Sequence, residues 1–377
     1  MVIRLLIVGN STEYFVSHRL PIAVAALQEG YEVHVATPEE GPISQILDHG
    51  FVHHPLVLSR SGKNPFKEVQ SILALFRLMR SIRPSVVHAV TVKPVLYGGV
   101  AARIARVPSM VAAITGLGSV FMAGGLKANL IRFVVECGYR LALGHSHSVV
   151  IFQNLDDKAE LLSIGAVREQ QTRLIRGSGV RIDEYPCRPE PDGIPVVTMA
   201  ARLLVDKGVR EFVEAARLLR QRGVATEFRL IGEPDPGNPA TVSRDEVEEW
   251  RDEGIVKVLG FRRDIAEQYS QSHIVCLPSY REGLPKSLVE AAACGRAVVT
   301  TDVPGCRDAI EPGRSGLLVP VRDIVALADA IAYLIQNPNE RRAMGATGRN
   351  LAEREFAIEK IVDQHLALYR EFERKNA

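Results

Sequence analysis

The sequence lacks several features that would each indicate a particular class of protein. Its five cysteines are Cys137, Cys187, Cys276, Cys294 and Cys306. None forms a Cys-x-x-Cys pair and their number is odd, which favours reduced thiols over disulfides or a zinc site. The formal net charge is only +2, so nothing indicates a nucleic-acid partner. No Asp-x-Asp offers the clustered carboxylates that usually hold Mg²⁺, and we expect no metal.

Membrane-spanning and targeting segments are also missing from the sequence pattern. No uncharged apolar run is long enough to cross a bilayer. The first apolar run ends at a glycine turn at Gly9, too early for a signal sequence. We therefore expect a cytoplasmic protein that is soluble or peripheral to the inner membrane.

The sequence does contain a repeated alternation of short β patterns and longer helical patterns. A chain of 377 residues exceeds one ordinary core, so we expect two domains of roughly 170–190 residues. In the first half, runs rich in Val and Ile predict strands at 3–8, 32–36, 86–90, 110–114 and 149–152. Helical patterns between them lie at 20–28, 65–82 and 126–143. This alternation predicts an α/β domain with a parallel sheet.

The second half repeats the pattern after a proline-rich stretch at 177–195 that is typical of a domain boundary. Strands are predicted at 196–200, 227–231, 256–259, 274–277, 297–301 and 316–319, and helices at 288–294, 324–336 and 357–373. We expect a Rossmann-like domain at 1–184, another at 192–355, and a C-terminal helix at 356–377 that packs back on the first domain. Two such doubly wound domains usually hold ligands in a central cleft that faces the carboxyl ends of their strands.

The strongest local motif is Glu282-x7-Glu290, which follows the predicted strand at 274–277. Pro285 suits the first helical position, so the amides of Lys286 and Ser287 would form a helix N-terminus that attracts an anion. The two carboxylates would repel a phosphate and are expected to face sugar hydroxyls instead. A capped surface helix with two solvated glutamates is the alternative.

Two cations form a second motif at another strand-to-helix turn. Arg202 ends the strand at 196–200, and Lys207-Gly208 opens the next helix. An arginine fork and a lysine point charge can clamp a diphosphate. Asp206 is the only acid beside them in the sequence, so their charges are expected to be free. Ordinary surface cations on an exposed loop remain the alternative.

With the turn Gly260-Phe261-Arg262-Arg263, whose backbone could contact a base, these motifs resemble one family. The chain is similar to GT-B glycosyltransferases of the retaining, GT4-like group, which carry Glu-x7-Glu and an Arg…Lys-Gly element. A narrower resemblance to bacterial polyprenyl-diphosphate-glycan N-acetylgalactosaminyltransferases rests on four segments. These are Ser59-Arg60, Asn64-Pro65, Gly116 to Ser119, and 127–134.

The resemblance implies roles for particular residues. Arg202 and Lys207 would hold the diphosphate of a UDP-sugar and act with Glu282 in catalysis, and Glu290 would bind the ribose. The other donor-binding residues implied are Gly260, Phe261, Arg262, Gly283, Leu284 and Lys286. The fixed cations would replace a metal, and no cofactor is implied. Relatives often carry a histidine near 113–118, but this sequence has Thr115 and Gly116 there, so a catalytic histidine is not carried over.

The acceptor side is predicted from basic or polar residues near strand ends and helix starts of the first domain. These candidates are Asn10, His18, Arg60, Lys93, Thr115, Gly116 and Lys127. His18 is expected to open the first helix, on the carboxyl side of the first strand. Each of these residues also suits an ordinary surface position. A polyprenyl-diphosphate-linked saccharide is the acceptor that the resemblance implies.

Three functions compete at this point. The leading prediction is transfer of a hexose or N-acetylhexosamine, to a lipid-linked acceptor or, alternatively, to a soluble small molecule. Nucleotide-sugar 2-epimerases share the two-domain architecture, but Glu-x7-Glu with Arg…Lys-Gly favours a transferase. A protein that binds a nucleotide sugar without turnover is the third possibility. The segment 126–143 mixes apolar and basic residues, which predicts either a membrane-surface helix or a helix packed on its own sheet.

Overall fold

A computed structural model of the protein describes residues 3–56, 58, 65–118, 125–145 and 147–376, leaving aside the side chains of 65, 126–128 and 376. The contacts divide the chain into two compact units. The first comprises Met1–Ser178 and Glu359–Ala377, and the second comprises Gly179–Ile358. The boundary between the two units, after Ser178, therefore lies six residues before the predicted end of the first domain at 184.

Each unit is built on one parallel sheet. The strands of the first unit are β1 Arg4–Val8, β2 Glu32–Thr37, β3 Val52–Pro55, β4 Val86–Val90, β5 Ser109–Ile114, β6 Ser148–Phe152 and β7 Thr172–Leu174. The strands of the second unit are β8 Val196–Ala200, β9 Glu227–Ile231, β10 Lys257–Gly260, β11 Ile274–Leu277, β12 Ala297–Thr301 and β13 Gly316–Val319. The sheet orders are β3-β2-β1-β4-β5-β6-β7 and β10-β9-β8-β11-β12-β13.

Helices connect the strands of both sheets. In the first unit they are α1 Thr12–His18, α2 Leu20–Gln28, α3 Ile43–Asp48, α4 Pro65–Ile82, α5 Val92–Ala105, α6 Leu126–Leu143 and α7 Leu155–Ser163. In the second unit they are α8 Val209–Gln221, α9 Arg244–Asp252, α10 Ile265–Ser270, α11 Lys286–Ala293, α12 Ile324–Gln336 and α13 Pro338–Leu351. The last helix, α14 Ile358–Asn376, follows a short π-helical segment at Ala352–Phe356.

The predicted strands are confirmed to within one residue at either end. Every residue of β4 and β12 is buried, and such strands are continuous apolar runs that are easily recognised in a sequence. Two strands were not predicted: β3 is a polar edge strand that contains His53 and His54, and β7 has three residues. Sequence periodicity is weak in strands that are short or exposed.

The order of each sheet reverses at one point. In the first sheet β1 lies between β2 and β4, and in the second sheet β8 lies between β9 and β11. The loops after the two central strands diverge at such a reversal, which leaves a crevice at the carboxyl ends where ligands bind in open α/β sheets. We therefore expect ligands to bind beside the loops after β1 and β4 in the first unit, and beside the loops after β8 and β11 in the second unit.

Helix α14 completes the core of the first unit. Its Ile361, Leu366 and Tyr369 belong to the same buried cluster as Leu5 and Ile7 of β1. The C-terminal residues 359–377 thus belong to the first unit.

The proline-rich segment predicted as a linker packs along the second unit. The amide of Val180 donates to the carbonyl of Phe356 at 2.8 Å. Arg341 of α13, almost fully buried, donates to Glu190 at 2.8 Å. These contacts explain why the second unit begins at Gly179 and not near 192.

Candidate active site

The reversal between β8 and β11 brings the two main sequence motifs together in the second unit. The amide of Tyr280 donates to the carbonyl of Asp206 at 2.8 Å, and Ser279 Oγ lies 3.0 Å from the same carbonyl oxygen. The loop that carries Lys207 is therefore fastened to the loop that carries Glu282. Residues 75 positions apart in sequence become neighbours at the carboxyl edge of the sheet.

Gly208 is required by this close approach of the two loops. Its φ is +73°, and a Cβ atom there would lie 2.0 Å from the carbonyl oxygen of Pro278. Only glycine combines that backbone conformation with that contact. The Lys-Gly pair thus has a structural reason: the glycine lets the loop after β8 pack against the end of β11.

Lys207 and Glu282 form an ion pair at this junction. Their side chains are only 19% and 11% exposed. Ser279 Oγ also donates to Oε1 of Glu282, at 2.8 Å. The alternative of solvated glutamates is therefore wrong for Glu282, whose carboxylate is fixed by two donors.

The backbone of Glu282 is held from the other side by the loop after β12. The amide of Glu282 donates to the carbonyl of Pro304 at 3.0 Å. Gly305 has a φ of +81°, and a Cβ atom there would lie 2.5 Å from the carbonyl oxygen of Glu282. The position of the carboxylate is thus fixed by three successive loops of one sheet edge.

Arg202 lies in the same loop as Lys207 and has a different environment. Its side chain is 54% exposed, and Nη1 donates to Asp235 Oδ2 at 2.7 Å. The expectation that both cations are free of acids is wrong, because Asp235 and Glu282 come from other loops and each pairs with one of them. A diphosphate would have to displace Asp235 from Arg202, or use the N–H groups that Asp235 leaves over.

Helix α11 begins at Lys286, with Pro285 at the N-cap. The helical pattern was predicted at 288–294, so the helix begins two residues earlier than that pattern. Pro285, expected at the first helical position, lies one position before it, at the N-cap. The positive end of the helix dipole lies at Lys286 and Ser287, next to the loop of Glu282. Gly283 lies in the preceding turn, and the side chain of Leu284 is buried in the core cluster of the unit.

Glu290 is buried on the inner side of α11. Tyr185 Oη donates to its Oε1 at 2.6 Å, and Lys286 Nζ lies 3.5 Å from the same oxygen. Burial raises the pKa of the Glu290 carboxyl, and Lys286 and Tyr185 partly oppose that rise. Glu290 is therefore not a solvated surface glutamate. Sequence reasoning missed Tyr185, because nothing in the proline-rich segment marks it as a partner of α11.

The turn after β10 joins the same edge of the sheet. The amide of Gly232 donates to the carbonyl of Gly260 at 2.8 Å, and Gly260 has a φ of +66°. The ring of Phe261 is 64% exposed. Arg262 donates to Asp264 at 2.8 and 2.6 Å, which holds the pKa of that carboxyl below its usual range. The exposed ring and the backbone of this turn can contact a base, whereas Arg262 is already paired with Asp264.

Most predicted acceptor residues lie at the carboxyl edge of the first sheet. Asn10 follows β1, Lys93 is the second residue of α5 after β4, and Thr115 and Gly116 follow β5. Lys93 Nζ donates to Glu68 of α4 at 2.8 Å, so its charge is paired.

The remaining acceptor candidates are His18, Lys127 and Arg60. His18 ends α1 instead of opening a helix, because Ser11 caps a short helix that was not predicted. Its ring stacks on Tyr14 at 4.1 Å, and Nδ1 lies 2.7 Å from Ser17 Oγ. Lys127 lies in the first turn of α6, but its side chain is outside the described ones. Arg60 lies outside the described residues altogether, as do Ser59 and Asn64.

Thr91 is a feature of the first unit that sequence reasoning did not identify. It lies between β4 and α5 with φ 73° and ψ 167°, and its Oγ1 is buried without a hydrogen-bond partner among the described residues. A β-branched residue with positive φ is strained, and strained residues cluster at functional sites. Threonine carries no sequence signal of such a conformation.

No group of three or more His, Cys, Asp or Glu side chains within the described ranges is arranged to hold a metal ion. Over the same ranges, no helix combines the length and apolar character needed to cross a bilayer.

Comparison with known proteins identifies the family of both units. Residues 4–154 match the family model of "Glycosyl transferase 4-like" proteins, and residues 194–337 match that of "Glycosyl transferases group 1". The chain is 31% identical over 376 residues to the N,N'-diacetylbacillosaminyl-diphospho-undecaprenol alpha-1,3-N-acetylgalactosaminyltransferase of Campylobacter jejuni, covering 96% of each chain. It is 22% identical to the UDP-Gal:alpha-D-GlcNAc-diphosphoundecaprenol alpha-1,3-galactosyltransferase of Escherichia coli, covering 90% of this chain and 89% of that one.

The fold is shared with a solved structure. The Anabaena protein HepE, crystallised with UDP and glucose, matches with a TM-score of 0.76 at 19% identity, covering 98% of this chain and 99% of that one. The predicted GT-B fold class is thereby confirmed. The chain belongs to the GT4-like group of GT-B glycosyltransferases, and it is an enzyme that transfers a sugar.

Proposed function

We propose that this glycosyltransferase moves a hexose or N-acetylhexosamine from a UDP-sugar, with retention at the anomeric carbon, to a polyprenyl-diphosphate-linked saccharide in bacterial surface glycan assembly. The donor assignment rests on the hydrogen-bonded pair of loops after β8 and β11. They hold Lys207 against Glu282 beside the N-terminus of α11. An anion and a sugar ring can therefore be bound at one sheet edge.

In this proposal the cations act on the leaving group. Lys207 and Arg202 bind the diphosphate, and the amides at the start of α11 add the helix dipole. Lys207 has three N–H donors, so it can bind a phosphate oxygen while it still contacts Glu282. Glu282 then accepts hydrogen bonds from hydroxyls of the transferred sugar, and Glu290 does so from the ribose.

The groups that this arrangement offers support retention. An inverting transferase needs a general base on the acceptor opposite the leaving diphosphate. His18 is stacked on Tyr14 and lies beside Ser17, and position 115 is a threonine, so neither provides an obvious base. In a same-face reaction the departing phosphate itself takes the acceptor proton while the C–O bond to the acceptor forms and the bond to the phosphate breaks.

The lipid-linked acceptor is supported by the names of two relatives, both of which include a diphospho-undecaprenol or diphosphoundecaprenol sugar. The surface of α6 also supports contact with a membrane. Its Leu130, Ile131, Phe133 and Val134 are exposed. Arg132 is paired with Glu136, at 2.9 Å, and with Glu160, so the exposed surface of this helix is mainly apolar.

A panel of UDP-sugars, tested with lipid-linked and soluble acceptors in excess EDTA, tests the function. We expect turnover on a lipid-linked acceptor without a metal, and NMR of the product from an α-linked donor should show an α linkage. A β-linked product contradicts retention. Activity that appears only after Mg²⁺ or Mn²⁺ is added contradicts the metal-independent clamp.

The same panel separates the alternatives. Conversion of a UDP-sugar without any acceptor would identify a 2-epimerase. Transfer to a soluble acceptor alone would overturn the lipid-linked assignment, and binding of UDP without turnover would identify a silent binding protein.

A further inference from the structure

A cluster of polar side chains lies inside the apolar layer that α2 and α14 form against the sheet of the first unit. Arg19 joins α1 to α2, His88 is the middle residue of β4, and His365 and Tyr369 lie on α14. All four are at most 2% exposed. They lie among apolar residues such as Ile7 and Ile22. Four buried polar groups in one apolar layer require an account of their hydrogen bonds.

Arg19 is the critical member of this cluster because two of its three guanidinium nitrogens have no hydrogen-bond partner among the described residues. Its Nε and Nη1 atoms are buried and make no hydrogen bond to any described residue. No carboxylate within the described ranges forms an ion pair with it. A guanidinium keeps its charge when buried, and a buried charge without compensation is strongly destabilising.

His88 and His365 each add one buried nitrogen without a hydrogen-bond partner to the cluster. Their rings stack with centroids 5.6 Å apart, and the Nε2 atom of each is buried without a partner among the described residues. Burial, together with the nearby charge of Arg19, lowers the pKa of His365 to about 3 and lowers that of His88. Both rings are therefore neutral at physiological pH, and Arg19 remains the charged member of the cluster.

The other ring nitrogens fix which histidine can donate. His365 Nδ1 lies 2.7 Å from the carbonyl oxygen of Ile361, which only accepts, so Nδ1 carries the proton and Nε2 is an acceptor. His88 Nδ1 lies 2.6 Å from Tyr369 Oη. Burial raises the pKa of Tyr369, so its hydroxyl stays protonated and can donate to Nδ1. The proton of His88 is then on Nε2, which adds a donor to the unused N–H groups of Arg19.

We propose that this cluster binds one small inorganic anion of chloride size, held by Arg19 and the Nε2–H group of His88. The anion neutralises the guanidinium and accepts the unused donors. A bridging water satisfies Nε2 of His365. A large anion is excluded because none of the four side chains is accessible from the surface. Since two of them lie on α14, the bound anion stabilises the packing of the C-terminal helix on the sheet.

Unfolding of the full chain in chloride or gluconate, at equal ionic strength, tests the proposal. A ligand that binds only the folded state raises the free energy of unfolding by RT ln(1 + [L]/Kd), which keeps growing with the ligand concentration. At a chloride concentration about 100 times the Kd, we expect the ratio of folded to unfolded protein to rise about 100-fold, which is about 2.7 kcal/mol. Arg19→Met should lose this dependence. Arg77→Met, a matched change at an exposed arginine of α4, should retain it.

Bromide provides a direct readout if Arg19→Met does not fold. Crystals of the unmodified protein grown in bromide should give an anomalous peak between Arg19 and His88. The proposal is overturned if chloride and gluconate give equal stability, or if Arg19→Met keeps the chloride dependence. It is also overturned if no bromide peak appears in the cluster, which would mean that ordered water alone fills it.

Discussion

The hydroxyl of Tyr185 donates a hydrogen bond of 2.6 Å to Oε1 of Glu290, although 105 positions separate the two residues in the sequence. The bond joins the first part of the second unit to the buried side of α11. It fixes one oxygen of the carboxylate that we assign to the ribose. Burial raises the pKa of Tyr185 far above its usual range, so its hydroxyl remains a donor.

Tyr185→Phe should therefore weaken UDP binding, because Glu290 loses the hydroxyl that orients its carboxylate. The bond is made with and without UDP, so its own contribution of about 1.5–3 kcal/mol is the upper limit of the loss in binding free energy. Calorimetric titration with UDP measures the change. The control is Tyr333→Phe, which removes the hydroxyl of a surface tyrosine that donates to Glu340. Equal UDP affinity in Tyr185→Phe and the unmodified protein would contradict the role of Glu290 in nucleotide binding.

The buried carboxyl of Glu290 should make stability depend on pH. Its pKa in the folded chain is raised from the ordinary value of 4.5. The folded state then binds this proton more tightly than the unfolded state does, so the free energy of unfolding falls as the pH rises above 4.5. The fall ends once the pH has passed the pKa of the folded state.

Glu290→Gln should remove that fall. The measurement is the free energy of urea unfolding at a series of pH values on either side of 4.5, for the unmodified protein and for the variant. Glu248→Gln, at an exposed glutamate, is the control and should keep the slope of the unmodified protein. The same slope in Glu290→Gln would mean that other groups cause the dependence.

Lys207→Met should lower kcat/KM about 10–150-fold, because a charge-assisted hydrogen bond of about 1.5–3 kcal/mol to the leaving diphosphate is lost. Initial rates at subsaturating donor measure this ratio. The control is Lys257→Met. Lys257 lies on the edge strand β10 and is also paired with a glutamate, Glu227 of β9, so its loss should leave kcat/KM unchanged. Normal turnover by Lys207→Met would exclude Lys207 from the diphosphate clamp.

Gly208→Ala should reduce both stability and activity, because the added Cβ would lie 2.0 Å from the carbonyl oxygen of Pro278 and would separate the two loops. Gly223→Ala is a matched control, since Gly223 has a φ of +72° and no atom within 4 Å of an added Cβ. The control should cost only the left-handed strain of about 1–2 kcal/mol. Equal losses of unfolding free energy in the two variants would show that the contact with Pro278 is unimportant.

Replacing Leu130 and Phe133 together by serine should reduce binding to anionic liposomes and activity on a lipid-linked acceptor. These side chains are 66% and 59% exposed on α6, and interfacial helices bind through such apolar surfaces. Cosedimentation measures the binding. The matched control is Val321→Ser with Val325→Ser, two exposed apolar residues of the second unit. Normal activity on lipid-linked acceptor, with no liposome binding by the unmodified protein, would exclude membrane contact through α6.

The sequence by itself determined most of the sheet framework and the motifs at its edge. Strands such as β8 and β12 are buried throughout, so they are uninterrupted apolar runs between turn residues, and their bounds could be predicted. Parallel strands end at one edge, and the strand ends therefore predicted that Arg202, Lys207 and Glu282 lie on the same side of a sheet.

Only the tertiary structure decided which of these charges meet and how far they are buried. Arg202 pairs with Asp235 across 33 positions, and Lys207 with Glu282 across 75. Tyr185 joins Glu290, and Arg19 becomes a buried cation beneath α14, although neither belongs to a recognisable pattern. Periodicity records which face of an element is buried. It carries no information about which side chain of a distant loop the chain brings to that face, because that depends on sheet order and on packing between elements.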